Sequence, residues 1–245
     1  MGRYATVNEV LRDVALEVGL AKETAPFDSV NAAIQQLVGL LDIAGQELVE
    51  LHEWQILNKK HQITTLSTDT GEYPLPDDYS YMINQTGWDR SNHVPLGGPL
   101  SSQIWTYLEG RDLVNQTIYA SFRLTEGVFS IFPQPPPDGL NIHFEYISRN
   151  WVESAETPGD YLDRASVGAD VVLYEPILIK RLLKAKFLES KGFDSSAARA
   201  EFDTIFNSRT GKDEGAAILS VSRTSKGYPY LTPYGNTGDT GYGVS

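Results

Sequence analysis

The chain has 245 residues, of which 41% are apolar and 11% aromatic, so it carries enough apolar side chains to build a core and is not disordered as a whole. It contains no cysteine, which excludes disulfides, thiolate catalysis and cysteine-based metal sites and fits folding in a reducing compartment. Twenty Lys and Arg against 32 Asp and Glu give a net charge of −12, which makes phosphate backbones poor partners. No export signal or long apolar run is present, so we expect a soluble protein without a membrane partner.

A first helix is predicted directly after Thr6. Thr6 and Glu9 have the spacing of a capping box, and apolar residues follow at helical intervals until Gly19. The sequence therefore predicts one amphipathic helix near the N-terminus.

A second, longer helix is predicted to begin near Asp28 or Ser29. Its apolar residues alternate in steps of four and three, a narrow stripe that other helices must cover. Gly39 and Gly45 weaken a helix, so we expect close helix approach to compensate for them. The bundle stripe consists of Ile34, Leu37, Leu41, Leu48 and Leu51, and the periodicity also includes Val30 and Ala44.

Between residues 60 and 150 the apolar period changes to two, which predicts an antiparallel β-unit. One helix over residues 101–109 interrupts this unit. A short turn at residues 125–127 joins two of the strands as a hairpin. The predicted strands cover residues 62–66, 117–124, 128–132 and 140–148, with a turn region at 73–79.

Two more helices are predicted on the C-terminal side. Pro176 stands at a favourable first helical position, Gly192 ends that helix, and Asp194 caps the next one, which runs to about Ser208. Together with the N-terminal pair, they predict an α+β fold in which a helical bundle carries the β-unit as an insertion. The predicted division is 1–57 for the N-terminal helices, 58–160 for the inserted β-domain, 161–212 for the C-terminal hairpin and 213–245 for an extended arm.

The last segment, residues 220–245, has no periodicity and is rich in Gly, Ser and Thr. It nevertheless contains several tyrosines, and rigid aromatic side chains commonly anchor interfaces. We interpret it as an arm that becomes ordered on a partner; a floppy tail with incidental tyrosines is the alternative.

Candidates for catalysis are weak. Asp69 and Asp239 begin two Asp-Thr-Gly triplets, but neither triplet follows the apolar strand that an aspartic protease requires, so both are interpreted as turns. Asp77 and Asp78 are interpreted as turn residues, although a hydrolase that uses Asp69, Asp77 or Asp78 remains a minor alternative. The four histidines form no metal-binding pattern. We therefore predict no catalytic residue, no metal and no cofactor.

Two features allow a binding role. The hairpin over residues 175–212 carries eight basic and five acidic residues, so this part of an acidic chain has a positive charge that could meet an acidic neighbour; a solvated helix face is the alternative. Trp54, Trp88, Trp105 and Trp151 lie in or beside the β-unit and could stack on sugars if they are exposed. Positions in the core or at a subunit interface are the alternative.

The β-unit and the hairpin after it resemble the head-to-tail adaptor proteins of tailed phages, a group that includes the tail tubular protein A of short-tailed phages. The likeness covers about residues 6–210 and is a pattern of helices, aromatics and turns without a catalytic motif. The segments that carry it are Tyr73–Tyr79, Gly87–Arg90 with Pro95 and Leu96, Gln103–Trp105, Phe122–Leu124, Phe129–Pro137, Phe144–Ser148 with Trp151, and Lys186–Phe193.

The resemblance implies a virion structural protein without enzyme activity, made in the host cytoplasm. It implies a ring, twelve subunits in such adaptors, that joins the portal protein to a downstream tail or nozzle protein and surrounds the DNA without binding it specifically. By position, the portal-docking residues are Tyr228, Pro229, Tyr230, Leu231 and Tyr234. A carbohydrate-binding β-module with helical decorations, suggested by the tryptophans, is the alternative function.

Overall fold

A computed structural model describes residues 4–110, 121–125 and 127–213. Residues 117–120 of one predicted strand lie outside the described residues, as does Glu126 of the predicted hairpin turn. The five portal-docking residues, from Tyr228 to Tyr234, also lie outside them.

Five helices and three antiparallel sheets form the described chain, which confirms the predicted α+β class. The helices are α1 (Val7–Glu17), α2 (Ala32–Leu51), α3 (Ser102–Gly110), α4 (Pro176–Ser190) and α5 (Ser196–Asp213). None of the helices in the described parts is both long and apolar enough to cross a bilayer.

The predicted capping box of α1 is confirmed. Thr6 Oγ1 accepts from the Glu9 backbone N–H at 3.3 Å, and Glu9 Oε2 accepts from the Thr6 backbone N–H at 3.0 Å. These two bonds satisfy two of the N–H groups that a helix start leaves without an intrahelical partner.

Helix α2 begins later than predicted. Residues Pro26–Asp28 form a 3₁₀ turn instead, and Asn31 caps α2 by accepting from the Ala33 backbone N–H at 3.0 Å. Of the predicted bundle stripe, Ile34, Leu37, Leu41 and Leu48 are fully buried. The predicted start near Asp28 or Ser29 was therefore wrong, because Asp28 belongs to the 3₁₀ turn that begins at Pro26 and the capping residue Asn31 comes later.

Leu51 is a correction to the stripe, since its side chain is 45% exposed. It is the last residue of α2, and the chain turns extended at His52. The indole of Trp54 then covers the last helical turn and donates from Nε1 to the Leu48 carbonyl at 2.6 Å. Trp54 therefore occupies the place that the periodicity gave to Leu51. Val30, which precedes the helix, is exposed as well.

The expectation that Gly39 and Gly45 allow close helix approach was wrong at both positions. A Cβ at Gly45 would lie 2.1 Å from the nearest ring atom of Trp151, whereas a Cβ at Gly39 would meet nothing within 4 Å. Gly45 thus makes room for an indole rather than for a helix, and Gly39 faces open space.

Four of the helices, α1, α2, α4 and α5, share one hydrophobic cluster with a small four-stranded sheet. This sheet has the order β1 (Ala5–Thr6), β12 (Val171–Val172), β10 (Val152–Glu153) and β11 (Tyr161–Leu162). Trp151, Val152 and the segment 172–174 belong to the same cluster as α1, α2, α4 and α5. Asp170, which is fully buried, accepts backbone N–H bonds from Ala155, Ser166 and Val167 and so shapes the loop between these strands.

The second hydrophobic cluster lies in the β-unit. Its strands are β2 (Asn58–Thr64), β3 (Glu72–Pro74), β4 (Tyr79–Met82), β5 (Trp88–Asp89), β6 (Val94–Pro95), β7 (Ser121–Thr125), β8 (Val128–Phe132) and β9 (Asn141–Ser148). One sheet has the order β2–β9–β5–β6, with β4 also paired to β9, and the other has the order β3–β8–β7. Phe122, Phe129 and Phe144 stack in series between them with ring centroids 5.0 Å apart.

The division into units at residues 58, 161 and 213 stays a prediction. The clusters favour a β-unit that ends near residue 148, because Trp151 and Val152 pack with the helices. Helices α4 and α5 form the predicted hairpin, with Pro176 in the first turn and Gly192 at a positive φ of 74° after α4. Asp194 accepts from the Ser196 backbone N–H at 2.9 Å, and α5 continues to Asp213, beyond the predicted end near Ser208.

Candidate functional site at the root of the C-terminal arm

Two of the carboxylates considered for catalysis, Asp69 and Asp78, serve local structure, and Asp239 lies outside the described residues. Asp69 accepts from the Leu66 backbone N–H at 3.0 Å and from the Tyr73 hydroxyl at 2.9 Å, as expected for a turn. Burial and this carboxylate raise the pKa of Tyr73 to about 12. Asp78 is held by three side chains, whereas Asp77 beside it is exposed. Among the residues described, no three acidic or histidine side chains form a group able to hold a metal ion.

The tryptophans do not offer the exposed platform that sugar stacking requires. Trp54, Trp105 and Trp151 are buried, and Trp88 is half-buried. Trp151 donates to the Asp163 carbonyl at 2.8 Å, and Trp105 donates to Glu109 at 2.6 Å. Three of the four rings therefore belong to the cores, in line with the alternative considered for them.

The positive charge of the α4–α5 hairpin is largely used inside the molecule. Six of its eight basic residues lie within 4.0 Å of a carboxylate, and α1 and α2 supply three of these carboxylates. The pairs are Lys180 with Asp13, Arg181 and Lys184 with Glu17, Lys186 with Glu47, Arg199 with Glu189, and Arg209 with Glu175. The hairpin is thus no free cationic patch for an acidic partner.

Specific contacts hold the end of α5, after which the predicted arm begins. Asp213, the last residue of α5, accepts from the Gln55 backbone N–H at 2.9 Å. Its Oδ2 also lies 3.3 Å from His52 Nε2, and the His52 side chain is only 10% exposed. The end of α5 is therefore tied to the segment that follows α2, although 158 residues separate Gln55 from Asp213.

Aromatic side chains pack around Trp54, next to the contact between Asp213 and the segment after α2. The rings of His52 and Trp54 meet edge to face with centroids 4.6 Å apart. Trp54 also contacts Tyr174 at 5.8 Å and Phe206 at 6.1 Å. Tyr174 is buried and donates its hydroxyl to the Gly45 carbonyl at 3.1 Å, and burial raises the pKa of this phenol well above its usual value. The support is rigid, because each ring is fixed by a neighbour.

A small cleft of about 110 Å³ opens beside Asp213, and we name it the arm-root cleft. Four separate segments converge there: the N-terminal strand region, the turn after α2, the loop before α4 and the last turn of α5. Its lining residues are Tyr4, Trp54, Ile56, Leu173, Tyr174, Glu175, Arg209, Lys212 and Asp213.

A larger groove continues from the arm-root cleft between α1 and the start of α4, with a volume of about 680 Å³. We name it the α1–α4 groove. The two share Glu175 and Arg209, whose side chains form an ion pair at 3.4 Å. Leu16 and Ile177 line the groove and are 48% and 41% exposed.

The sequence did not single out this site. His52, Trp54 and Asp213 were not predicted to meet, because their contact depends on how the hairpin docks on the bundle. The only sequence signal was Trp54 three residues after the end of α2, where a large ring can cover the last turn of the helix.

Comparison with known proteins identifies the family. The model of the SU10 adaptor protein family matches residues 5–224, nearly the whole chain. No curated protein matches it. The matched region includes the described fold and continues eleven residues past Asp213, but it ends before Tyr228. The chain belongs to the SU10 adaptor protein family, and it is therefore a phage structural adaptor.

Proposed function

We propose that this chain forms a ring, of twelve subunits, that joins the portal protein to a downstream tail or nozzle protein in the virion. The observation that carries this proposal is the family match over residues 5–224. The arm, residues 213–245, grips the portal through Tyr228, Pro229, Tyr230, Leu231 and Tyr234. The protein acts as a shaped connector after its synthesis in the host cytoplasm and converts no substrate.

The arm-root site supports the role given to the arm. An extended arm transmits force to the ring only if its first residue is fixed, and Asp213 is held by the backbone N–H of Gln55. The described bonds hold the end of α5 while the tyrosines, fifteen to twenty-one residues later in sequence, are left for a partner.

The charge distribution supports passage of DNA through the ring. The net charge is −12, and most basic residues of α4 and α5 already face carboxylates. Such a surface releases few counterions from a duplex, so it does not retain DNA. Tight binding of duplex DNA that weakens steeply with salt would contradict this part of the proposal.

The test of the arm is co-assembly with the portal protein, imaged by negative-stain electron microscopy and quantified by sedimentation. A chain that lacks Gly227–Ser245 should keep the thermal unfolding midpoint of the full chain and lose portal binding. For a single contact, Tyr230→Ala should weaken binding about thirtyfold, the effect of an interface residue worth about 2 kcal/mol.

Tyr242→Ala is the matched control, because it removes the same ring from the glycine-rich end of the arm. It should change the affinity by less than about threefold. Unchanged co-assembly of the truncated chain would disprove portal docking by the arm, and particles of a single subunit in the presence of the portal would disprove the ring.

A further inference from the structure

The α1–α4 groove and the arm-root cleft together present apolar surface that no described residue covers. Leu16, Ile56 and Ile177 are among the exposed large apolar residues, each at least 41% exposed, and all three line these two cavities. Isolated exposed apolar side chains are ordinary, but three along one continuous depression indicate a binding surface.

Most of the charged residues around this depression are already matched. Asp13 meets Lys180 at 2.6 Å, Glu17 meets Arg181 at 2.6 Å, and Glu175 meets Arg209 at 3.4 Å. What the depression offers an occupant is therefore mainly apolar contact, and an apolar segment fits it best.

The chain itself supplies such a segment at the right place. The described part ends at Asp213, which lines the arm-root cleft, and the sequence continues with Ala216-Ala217-Ile218-Leu219-Ser220-Val221, which carries no charge. The family match reaches residue 224, so it includes this segment but ends before the tyrosines.

The distances permit the contact. Leu219 is six residues after Asp213 and reaches at most about 20 Å from it along an extended chain. Arg209 lies one turn before Asp213, about 6 Å along α5, and pairs with Glu175, two residues before Ile177. Ile177 is thus within reach of Leu219 of the same chain.

We propose that residues 216–221 fold back over the depression of their own subunit and cover Leu16, Ile56 and Ile177. This root segment sets the direction in which the arm leaves the subunit, and the portal contacts begin only after it. The inference concerns an isolated chain, so it stands or falls independently of portal binding.

The absence of cysteine allows a clean cross-linking test in the full-length protein. With Ile177→Cys and Leu219→Cys, mild oxidation at micromolar concentration should give a disulfide within one chain, seen as a reducible species of monomer mass on a gel and as loss of maleimide labelling. Ile177 tolerates the substitution because its side chain is 41% exposed.

The matched control pairs Leu219→Cys with Leu66→Cys. Leu66 is 54% exposed, like Ile177, but it follows β2 and lies eight residues, about 26 Å of strand, beyond Asn58. Its disulfide should form at least about tenfold more slowly. Equal rates for the two pairs would overturn the proposal, and so would a disulfide of dimer mass, because the occupant would then come from another copy.

Hydrogen exchange gives a second readout without cysteines. Amides of residues 216–221 should exchange at least about tenfold more slowly than those of residues 236–243, and Ile177→Asp should remove this protection while α2 keeps its own. Equal exchange in the two segments of the unmodified chain would overturn the proposal.

Discussion

Two glycines of α2 show how single residues determine what packs against this helix. Gly45 lies against the indole of Trp151, which is fully buried and anchored by its N–H to the Asp163 carbonyl. Gly39, six residues earlier in the same helix, faces open space. The two glycines have the same helix propensity. A difference in stability between their alanine variants therefore measures the packing around each position.

Gly45→Ala should destabilise the protein by about 3 kcal/mol, because the added methyl group would lie 2.1 Å from a ring atom that cannot move away. Gly39→Ala should stabilise it by about 1 kcal/mol, since alanine favours the helix and nothing opposes it. Urea unfolding followed by tryptophan fluorescence measures both. Equal effects of the two variants would show that the indole does not occupy this place.

The sequence predicted features that depend on neighbouring residues and missed those that depend on distant ones. The capping box at Thr6, the proline start of α4 and the hairpin of β7 and β8 are local patterns, and each appears in the structure. The small sheet was not predicted, because its two-residue strands have no period and Ala5 pairs with Val172, which is far from it in the sequence. The role of Asp213 was missed for the same reason.

At the scale of elements, Asp78 joins β2 and β9, two neighbouring strands of the β-unit. Its Oδ2 accepts from Lys59 Nζ of β2 at 2.6 Å and from the Ser148 hydroxyl of β9 at 2.7 Å, while Oδ1 accepts from the Tyr146 hydroxyl at 2.9 Å. Burial raises the pKa of this carboxyl, but the bonds from Lys59, Ser148 and Tyr146 outweigh it and leave the pKa below its usual value.

Asp78→Asn should therefore cost about 2 kcal/mol at pH 7, because an amide loses the charge and turns N–H groups toward at least one of the donors. A lowered pKa stabilises the folded state above the unfolded value of about 3.9, and this contribution disappears as the pH falls through the folded pKa. The difference in free energy of unfolding between wild type and Asp78→Asn should thus stay constant from pH 7 to 5 and shrink below about pH 4.

Asp77→Asn is the control for this pair, because Asp77 precedes Asp78 directly and is exposed. It should change the free energy of unfolding by less than about 0.5 kcal/mol at any pH. Chemical unfolding between pH 3 and 7 tests both variants. A difference for Asp78→Asn that grows toward low pH would show that the carboxyl is not held in its charged form.

At the scale of the whole molecule, the chain enters and leaves the β-unit at neighbouring positions beside the helical core. Asn58 of β2 pairs directly with Ile147 of β9, so the two ends of the excursion are neighbouring strand residues. Leu57 and Ile147 both belong to the helical cluster, whereas Ile63, Ile142 and Phe144 belong to the cluster of the β-unit. An insertion with adjacent ends can be removed without stretching the remaining chain.

Replacing residues 59–146 by an Asn-Gly turn should therefore leave a helical core that unfolds cooperatively, since a two-residue turn joins paired antiparallel residues. We expect a lower thermal midpoint, because Tyr81 and Ile83 no longer pack on the helices and Arg149 loses its bond to the Asp78 carbonyl. Circular dichroism should show a helical signal reduced only by the loss of α3. Adding Leu182→Asp, a charge in the buried helical cluster, should abolish the transition. A shortened chain that melts without cooperativity would mean that the helices need the β-unit to fold.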